Sequence, residues 1–345
     1  MLLAGVLLRL AMVAGAGDAV GEWVRELTDD GRLVTATLNI ELGGAVAQQA
    51  QTTPEPTPTP TAREENSALP ELLLVAVTPA PKEESPPPAP AEEAAEIVTA
   101  DLSAAGKIHN STSTPVDTAA LAAEGLQLQL RDGVPQVLIF HTHSSEAYTP
   151  DGRDQYEESD PFRTEDKTCN VIRVGDRLTE KLEEYGLNVI HDREIYDYPS
   201  YTGSYSRSGA AVEQFLKDYP DIKIVIDLHR DALGSEDVIY KTQAELSGKS
   251  SAQVMLLAGT GENGLWHPNW RENLKLALYM QNAMDARYPS LARPIEQVCE
   301  RYNQQLSEGM LILEAGSTGN TLQEALTAIE LFADAVGPAL AELIV

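Results

Sequence analysis

The sequence predicts an α/β fold: a single, mostly parallel sheet with helices on both faces, preceded by a disordered linker rich in Pro, Glu and Ala. Three observations predict it. From residue 117 onward, short apolar runs alternate with stretches of helical spacing, the order expected of strand–helix units in a parallel sheet. Three of those runs end in His or Glu, and open α/β sheets carry their sites at the carboxyl ends of strands. Eleven of the 21 prolines fall between Pro54 and Pro90, in a tract with too little apolar surface to offset the entropy of ordering it.

Asp117 has the chemistry of an N-cap before the helix 118–124. The run 136–140 follows as a strand, and then a long polar and aromatic loop, 144–167. Val171, Val174, Leu178 and Leu182 have helical spacing over 170–185, and Gly186 closes that helix. Strands are predicted at 187–190, 222–228, 237–244, 253–258 and 310–313, and helices near 207–218, 269–286 and 321–335. No internal repeat is visible. Loops longer than about 12–15 residues are usually functional or disordered, so 144–167 is a candidate wall of the site. Tyr148, Tyr156 and Phe162 would either border a groove there or pack on their own loop.

The compact domain thus runs from residue 99 to 345. Residues 48–98 are the linker, and its apolar stretch Leu72–Val77 is too short to cross a bilayer. Residues 18–47 carry no diagnostic pattern. Residues 1–17 are apolar apart from Arg9. A spanning helix needs about 20 apolar residues, so they read as a signal-peptide core or the remnant of a membrane anchor, with a buried helix as the plain alternative. An apolar start followed by a spacer suits a secreted or tethered, extracytoplasmic enzyme.

The 25 basic and 53 acidic side chains give a net charge of −28. Such a chain lacks the basic face that nucleic acid requires, and acidity of this kind maintains solubility. Cys169 and Cys299 are too few for a disulfide scaffold; they either pair or are separate thiols. Neither has a histidine nearby in sequence.

His141-Thr142-His143-Ser144-Ser145-Glu146 directly follows the strand Val137–Phe140, and two of the six histidines lie here. Residues two apart on a strand point to one side, so this strand end offers two imidazoles and, shortly after, a carboxylate. Ile224-Val225-Ile226-Asp227-Leu228-His229 is a second strand ending in histidine, and Met310–Leu313 ends in Glu314. Any one of these histidines is more simply a structural, hydrogen-bonded residue. Together they predict a catalytic zinc site, with three protein ligands, a bound water and a separate carboxylate base.

Five ordered motifs then carry a resemblance: His141-Thr142-His143-Ser144-Ser145-Glu146-Ala147-Tyr148, Asp227-Leu228-His229-Arg230-Asp231-Ala232, His267-Pro268-Asn269-Trp270, Arg301-Tyr302-Asn303-Gln304 and Leu313-Glu314-Ala315-Gly316. Over about residues 105–340 the chain resembles stage II sporulation protein P, a cell-wall hydrolase family of endospore-forming bacteria. The resemblance implies an amidase-like fold and a zinc-dependent peptidoglycan hydrolase similar to N-acetylmuramoyl-L-alanine amidases. These cut the amide between muramic acid and L-alanine of the stem peptide; cleavage of peptide cross-links is also implied. It further implies a membrane anchor, action in forespore engulfment, and stage II sporulation proteins D and M as partners.

By the same resemblance His229 is the later histidine ligand and Glu314 the catalytic glutamate. The first ligand is His141 or His143, and the related amidases' placement a few residues beyond the apolar run suits His143 better. Their glutamate ligand opens the next helix, where this chain has Asn170. Glu146 is the remaining carboxylate, as a ligand or as the group that orients one. Arg230 is expected either to help stabilise the oxyanion or to pair with Asp227 or Asp231. Asn303, Asn320 and Trp270 are candidates for substrate contact, although core packing is the simpler role for Trp270 and Tyr302. The alternatives are a strict wall endopeptidase or carboxypeptidase with the same metal site, and an inactive wall-binding scaffold.

Overall fold

The computed structural model describes residues 95–103, 107–235, 238–246 and 248–345. The expected N-terminal segment, residues 18–47 and the linker up to residue 94 lie outside the described residues. The first strand, β1 (Glu96–Ala100), crosses the boundary at 98/99 that composition suggests.

In chain order the elements are β2 (Ile108–Asn110), α1 (Thr118–Glu124), β3 (Val137–Phe140), α2 (Val171–Glu183), β4 (Val189–His191), α3 (Ser204–Asp218), β5 (Ile224–Asp231), β6 (Val238–Leu246), β7 (Lys249–Ala252), β8 (Val254–Gly259), α4 (Trp270–Arg287), β9 (Ile295–Val298), β10 (Met310–Ser317) and α5 (Leu322–Ala341). A 3-10 turn, Gln304–Leu306, precedes β10.

The main sheet has seven strands in the order β2-β9-β8-β10-β5-β3-β4. β10, β5, β3 and β4 are mutually parallel. β8, β9 and β2 are parallel to one another and join antiparallel to β10 through β8. This is the mostly parallel α/β sheet expected. A second sheet, β1-β6-β7, accompanies it. The strand predicted at 237–244 is β6, which pairs with β1 and β7 and not with the main sheet.

Apolar alternation sorts the faces. In β3, Val137 and Ile139 join the larger core, which includes Leu178 and Leu182 of α2, Leu276 and Met280 of α4, and Ile329 and Phe332 of α5. Leu138 and Phe140 point the other way, to a smaller core with Val212 of α3, Val225 and Met310. Burying a Leu, Ile or Phe side chain stabilises by about 1.5–3 kcal/mol, so each face anchors its helices independently.

Local chemistry fixes the helix ends. Asp117 accepts from Ala120 N and caps α1, and Asn170 accepts from Ile172 N at the start of α2. Thr321 and Glu324 form a reciprocal capping box on α5, which satisfies two otherwise unpaired donors. That helix runs past the expected end at 335 and includes Pro338. Among the described residues no helix is long and apolar enough to cross a membrane.

Candidate metal centre

β3, β5 and β10 lie side by side, and the parallel register places Glu314 of β10 directly opposite His229 of β5. Alternation puts Asp227 and His229 on the α3 face of the sheet, the same face as Val225. The third contribution comes from the turn after β3. Residues 142–145 form a turn, and Glu146 and Ala147 then bridge to Arg163 and Asn170. The Glu146 carbonyl accepts from Val171 N at 2.8 Å. Glu146 is thereby fixed beside the first turn of α2, so the carboxylate comes from the strip alongside the helix start instead of from the helix itself.

His143, Glu146 and His229 converge. Their candidate ligand atoms all lie within 4.8 Å of one another. Glu146 sits between the two imidazoles, with Oε1 3.5 Å from His143 Nδ1 and Oε2 3.4 Å from His229 Nδ1. All three side chains are buried, 5–8% exposed. Zinc is held by His nitrogen and carboxylate oxygen at about 2.0–2.2 Å, which puts tetrahedral ligand atoms about 3.4 Å apart. Each Glu146–imidazole separation is close to that edge, though to a different carboxylate oxygen, and two histidines with one carboxylate are a known catalytic donor set. These residues fit zinc.

Electrostatics support the cluster. Burial alone would raise the Glu146 carboxyl, but hydrogen bonds from His143 and His229 and the charge of Arg230 hold it well below the usual range. Burial pushes His143 down, against the pull of Glu146. His229 goes the other way: burial is outweighed by the charge and contact of Asp227 and by Glu146, which raise it well above an ordinary histidine. Glu314 is pushed up to about 8, first by burial and then by repulsion from Asp231. Its Oε2 is buried and has no hydrogen-bond partner among the described residues.

Asp227 is fully buried and accepts from Thr142 N and Thr142 Oγ1, both at 2.7 Å. Its Oδ1 also lies 2.8 Å from His229 Nε2. The imidazole N–H is aimed off the ideal line there, so the contact is an ion pair more than an aligned hydrogen bond. A carboxylate on the far nitrogen leaves Nδ1 of His229 to face the cluster. Asp227→Asn is expected to weaken zinc affinity 10–100-fold, the scale for loss of such a supporting partner. Competition with a chromogenic chelator measures it, and unchanged affinity would remove Asp227 from this role.

His141 is not part of the cluster. Its Nδ1 lies 2.8 Å from Leu228 O and its Nε2 2.9 Å from His191 Nε2, while His191 Nδ1 is 3.2 Å from Asp176. The two-residue period of β3 ends at Phe140, so the expectation of two imidazoles on one side fails. His141 turns toward α2 and the turn carries His143 to the α3 side. A Cβ on Gly175 would come within 2.8 Å of His141 Nε2 and 2.6 Å of His191 Nε2, so α2 approaches this pair only because residue 175 is glycine. Burial drives His141 down to about 3.

Other candidates also have fixed tasks. Arg230 donates from Nε to Ala147 O and from Nη2 to Phe162 O, so it ties down the 144–167 loop and pairs with neither Asp227 nor Asp231. Asp231 pairs with Arg293 at 2.7 Å. Asn320 is fully buried and joins Ser317 N to Thr242 O, linking the two sheets; no face is left for substrate. Asn303 donates to Tyr205 O and fixes its loop to α3. Trp270 packs against the larger core, whereas Tyr302 lies against Tyr205, ring centroids 5.3 Å apart. Tyr148 is buried in the larger core with its hydroxyl on Ala315 O of β10, so it neither borders a groove nor packs on its own loop; Tyr156 donates to Tyr148 O and does pack on that loop. Cys169 and Cys299 are free thiols.

Four residues at the site have no role in the sequence-based expectation. Tyr201 stacks on His143 with centroids 4.6 Å apart, and Tyr205 meets it edge-on at 5.4 Å. Arg163 lies over the Tyr201 ring at 4.9 Å, 3.3 Å from Glu146 and 2.6 Å from the buried Asp197. Asp197 also accepts from Ser145 N and Oγ, locking the turn that presents His143. Tyr201, Arg163 and Asp197 sit in loops without periodic signal, and Tyr205 at a helix start. Asp227 entered the sequence-based expectation only as a partner for Arg230, whereas it lies on His229 and Thr142.

The sequence model of the stage II sporulation protein P family matches residues 63–337. The chain belongs to that family. A curated relative, stage II sporulation protein P of Bacillus subtilis, is 30% identical over 209 residues, covering 57% of this chain and 49% of the relative. The chain thus spans about half the length of the curated relative it matches. Among solved structures, an N-acetylmuramoyl-L-alanine amidase of Nostoc punctiforme superposes with TM-score 0.34 at 10% identity, over 61% of this chain and 97% of that one. An N-acetylmuramoyl-L-alanine amidase of Clostridium difficile does so with TM-score 0.34 at 12% identity, over 61% and 96%.

Proposed function

We propose that this chain is a zinc-dependent peptidoglycan hydrolase that cuts the amide between muramic acid and L-alanine of the stem peptide, with cleavage of peptide cross-links as a second activity. The observation that carries it is the His143–Glu146–His229 cluster with Glu314 in register beside His229. Family membership supports a role in sporulation. Action outside the cytoplasm, in forespore engulfment with stage II sporulation proteins D and M, belongs to the same proposal, as does tethering through the N-terminal segment.

Bound zinc supplies a Lewis acid and brings the pKa of a water to about 7. The chain's own residues do the rest. Glu314 takes the proton of the attacking water and returns it to the leaving amine. Its carboxyl, raised by burial and by Asp231, holds that proton readily between the two transfers. Asp227 and Thr142 fix the orientation of His229. Tyr201, stacked on His143, and Arg163 over it close one side against solvent.

Digestion of purified sacculi by the zinc-loaded full chain, with fragments identified by mass spectrometry, tests this. Free stem peptides beginning with L-alanine, together with glycan lacking peptide, are expected. Cut cross-links with every muramyl–alanine amide intact would replace it with a strict endopeptidase, and release of C-terminal residues alone with a carboxypeptidase. No product at all from a zinc-loaded chain that binds sacculi would leave a wall-binding scaffold.

A further inference from the structure

Four polar side chains, Asn303, Ser208, Thr142 and Asp227, run in a line from the loop ahead of β10 to the ligand His229. Asn303 donates from Nδ2 to Tyr205 O at 2.7 Å and lies 3.5 Å from Ser208 Oγ. Ser208 Oγ is 2.8 Å from Thr142 Oγ1, and Thr142 Oγ1 is 2.7 Å from Asp227 Oδ2. Asp227 Oδ1 in turn meets His229 Nε2. Ser208, Thr142 and Asp227 are fully buried. A hydroxyl has one proton to give and a carboxylate accepts, so the directions are fixed. Thr142 donates to Asp227, which leaves Ser208 to donate to Thr142 and the Asn303 amide to face Ser208 Oγ and Tyr205 O. Each donor gives into the next, and hydrogen bonds aligned this way polarise one another.

The same loop reaches the other imidazole through ring contacts. Tyr302 lies 5.3 Å from Tyr205, and Tyr205 meets His143 edge-on at 5.4 Å. Tyr205, Ser208 and Val212 share one face of α3, at the three- and four-residue spacing of a helix, and Val212 seats that face on the sheet. The loop comes close to this face. A Cβ on Gly209 would lie 2.9 Å from Asn303 Nδ2, so the amide sits where it does only because residue 209 is glycine. Tyr302 and Asn303 are held at φ 47 and 60, a left-handed conformation that persists only where surroundings impose it and that gathers at functional sites. Gln304 imposes it from the other side, accepting from Gly259 N and donating to Leu257 O of β8.

We infer that Ser208 and Asn303 are positioning residues for the metal centre: Asn303 fixes the first turns of α3, and Ser208 carries that constraint through Thr142 and Asp227 to His229. This rests on the His143–Glu146–His229 cluster holding zinc. Neither residue offers an atom to the cluster. Their effect is on the orientation of the imidazole, which a metal-binding histidine takes from the group on its far nitrogen. That group is Asp227, and among the described residues its side-chain partners are Thr142 and His229 alone. Whatever holds Thr142 therefore holds Asp227, and Ser208 is the side chain that meets the Thr142 hydroxyl from α3.

The test is the zinc affinity of the full chain, measured by chelator competition beside the visible absorption of its cobalt(II)-substituted form and its thermal unfolding. Ser208→Ala is expected to weaken zinc about fivefold, within the range for members of one hydrogen-bonded network, and to shift the cobalt bands. In an Asp227→Asn background the same change should cost almost nothing more, because the connection to His229 is already cut. Asn303→Gly suits the left-handed backbone and removes only the amide. Gly209→Ala favours the helix and removes no polar group, but it displaces that amide. Both are expected to weaken zinc about threefold with the same shift of the cobalt bands, and they carry the test if Ser208→Ala does not fold. Variants that melt lower yet keep the parent's affinity and cobalt bands overturn the inference and leave these bonds to folding alone. A fivefold loss from Ser208→Ala that persists undiminished in the Asp227→Asn background overturns it as well. A parent chain that takes up no zinc fails the metal reading of the cluster instead, and the inference falls with it.

Discussion

Glu314→Gln is expected to keep zinc and still bind peptidoglycan, while turnover falls by a factor on the order of 10² or more, the scale of general acid–base catalysis. The substitution preserves side-chain volume and removes the carboxylate's ability to take a proton. Glu314 faces His229 across the β10–β5 register, yet it is not among the three residues whose ligand atoms converge. A base of this kind is removable without emptying the site; a ligand is not. Metal content by mass spectrometry and turnover on sacculi, measured on the same preparation, separate the two. A Glu314→Gln chain that drops zinc would make Glu314 the carboxylate ligand and release Glu146 from that role. Unchanged turnover would sink the assignment of the base.

The strands that carry the site were legible because each is an apolar run ending in a group that can bind or move a proton. Met310–Leu313 before Glu314 and Ile224–Leu228 around Asp227 and His229 became β10 and β5, and the parallel register brought Glu314 and His229 level. Two kinds of feature were not legible. The first is where a strand stops. Period two holds only while the backbone is extended, and the turn at 142–145 reverses the side to which His143 points. The second is anything settled by long-range contact. β9 is short and half polar, Ile-Glu-Gln-Val, and its pairing with β8 and β2 comes from packing more than from propensity. Arg163 reaches Glu146 and Asp197 from 17 and 34 residues away, and Arg230 turns from the site to the carbonyls of Ala147 and Phe162. No local pattern announces such contacts, which is also why the aromatic cover of Tyr201 and Tyr205 over His143 has no counterpart in the sequence-based expectation.

The two neighbouring histidines give the second large effect. His143→Ala removes one of three converging donors and leaves Glu146 and His229, too few for a catalytic zinc site, so it is expected to lose zinc and with it all turnover. His141→Ala acts on something else. It opens a cavity beneath α2 and strips Leu228 O and His191 Nε2 of their partner. A buried acceptor left unpaired costs about 1–3 kcal/mol, with a further penalty for the cavity, so the melting temperature is expected to fall while the folded fraction keeps its zinc. The two variants therefore move different quantities, one the metal content and the other the stability. Metal content per folded molecule, set against thermal unfolding of the same sample, distinguishes them. His229→Ala is the reference for a true ligand and should behave like His143→Ala. If His141→Ala empties the site while remaining folded, and His143→Ala retains zinc, the ligand is His141, and the turn after β3 has a different conformation when the metal is bound.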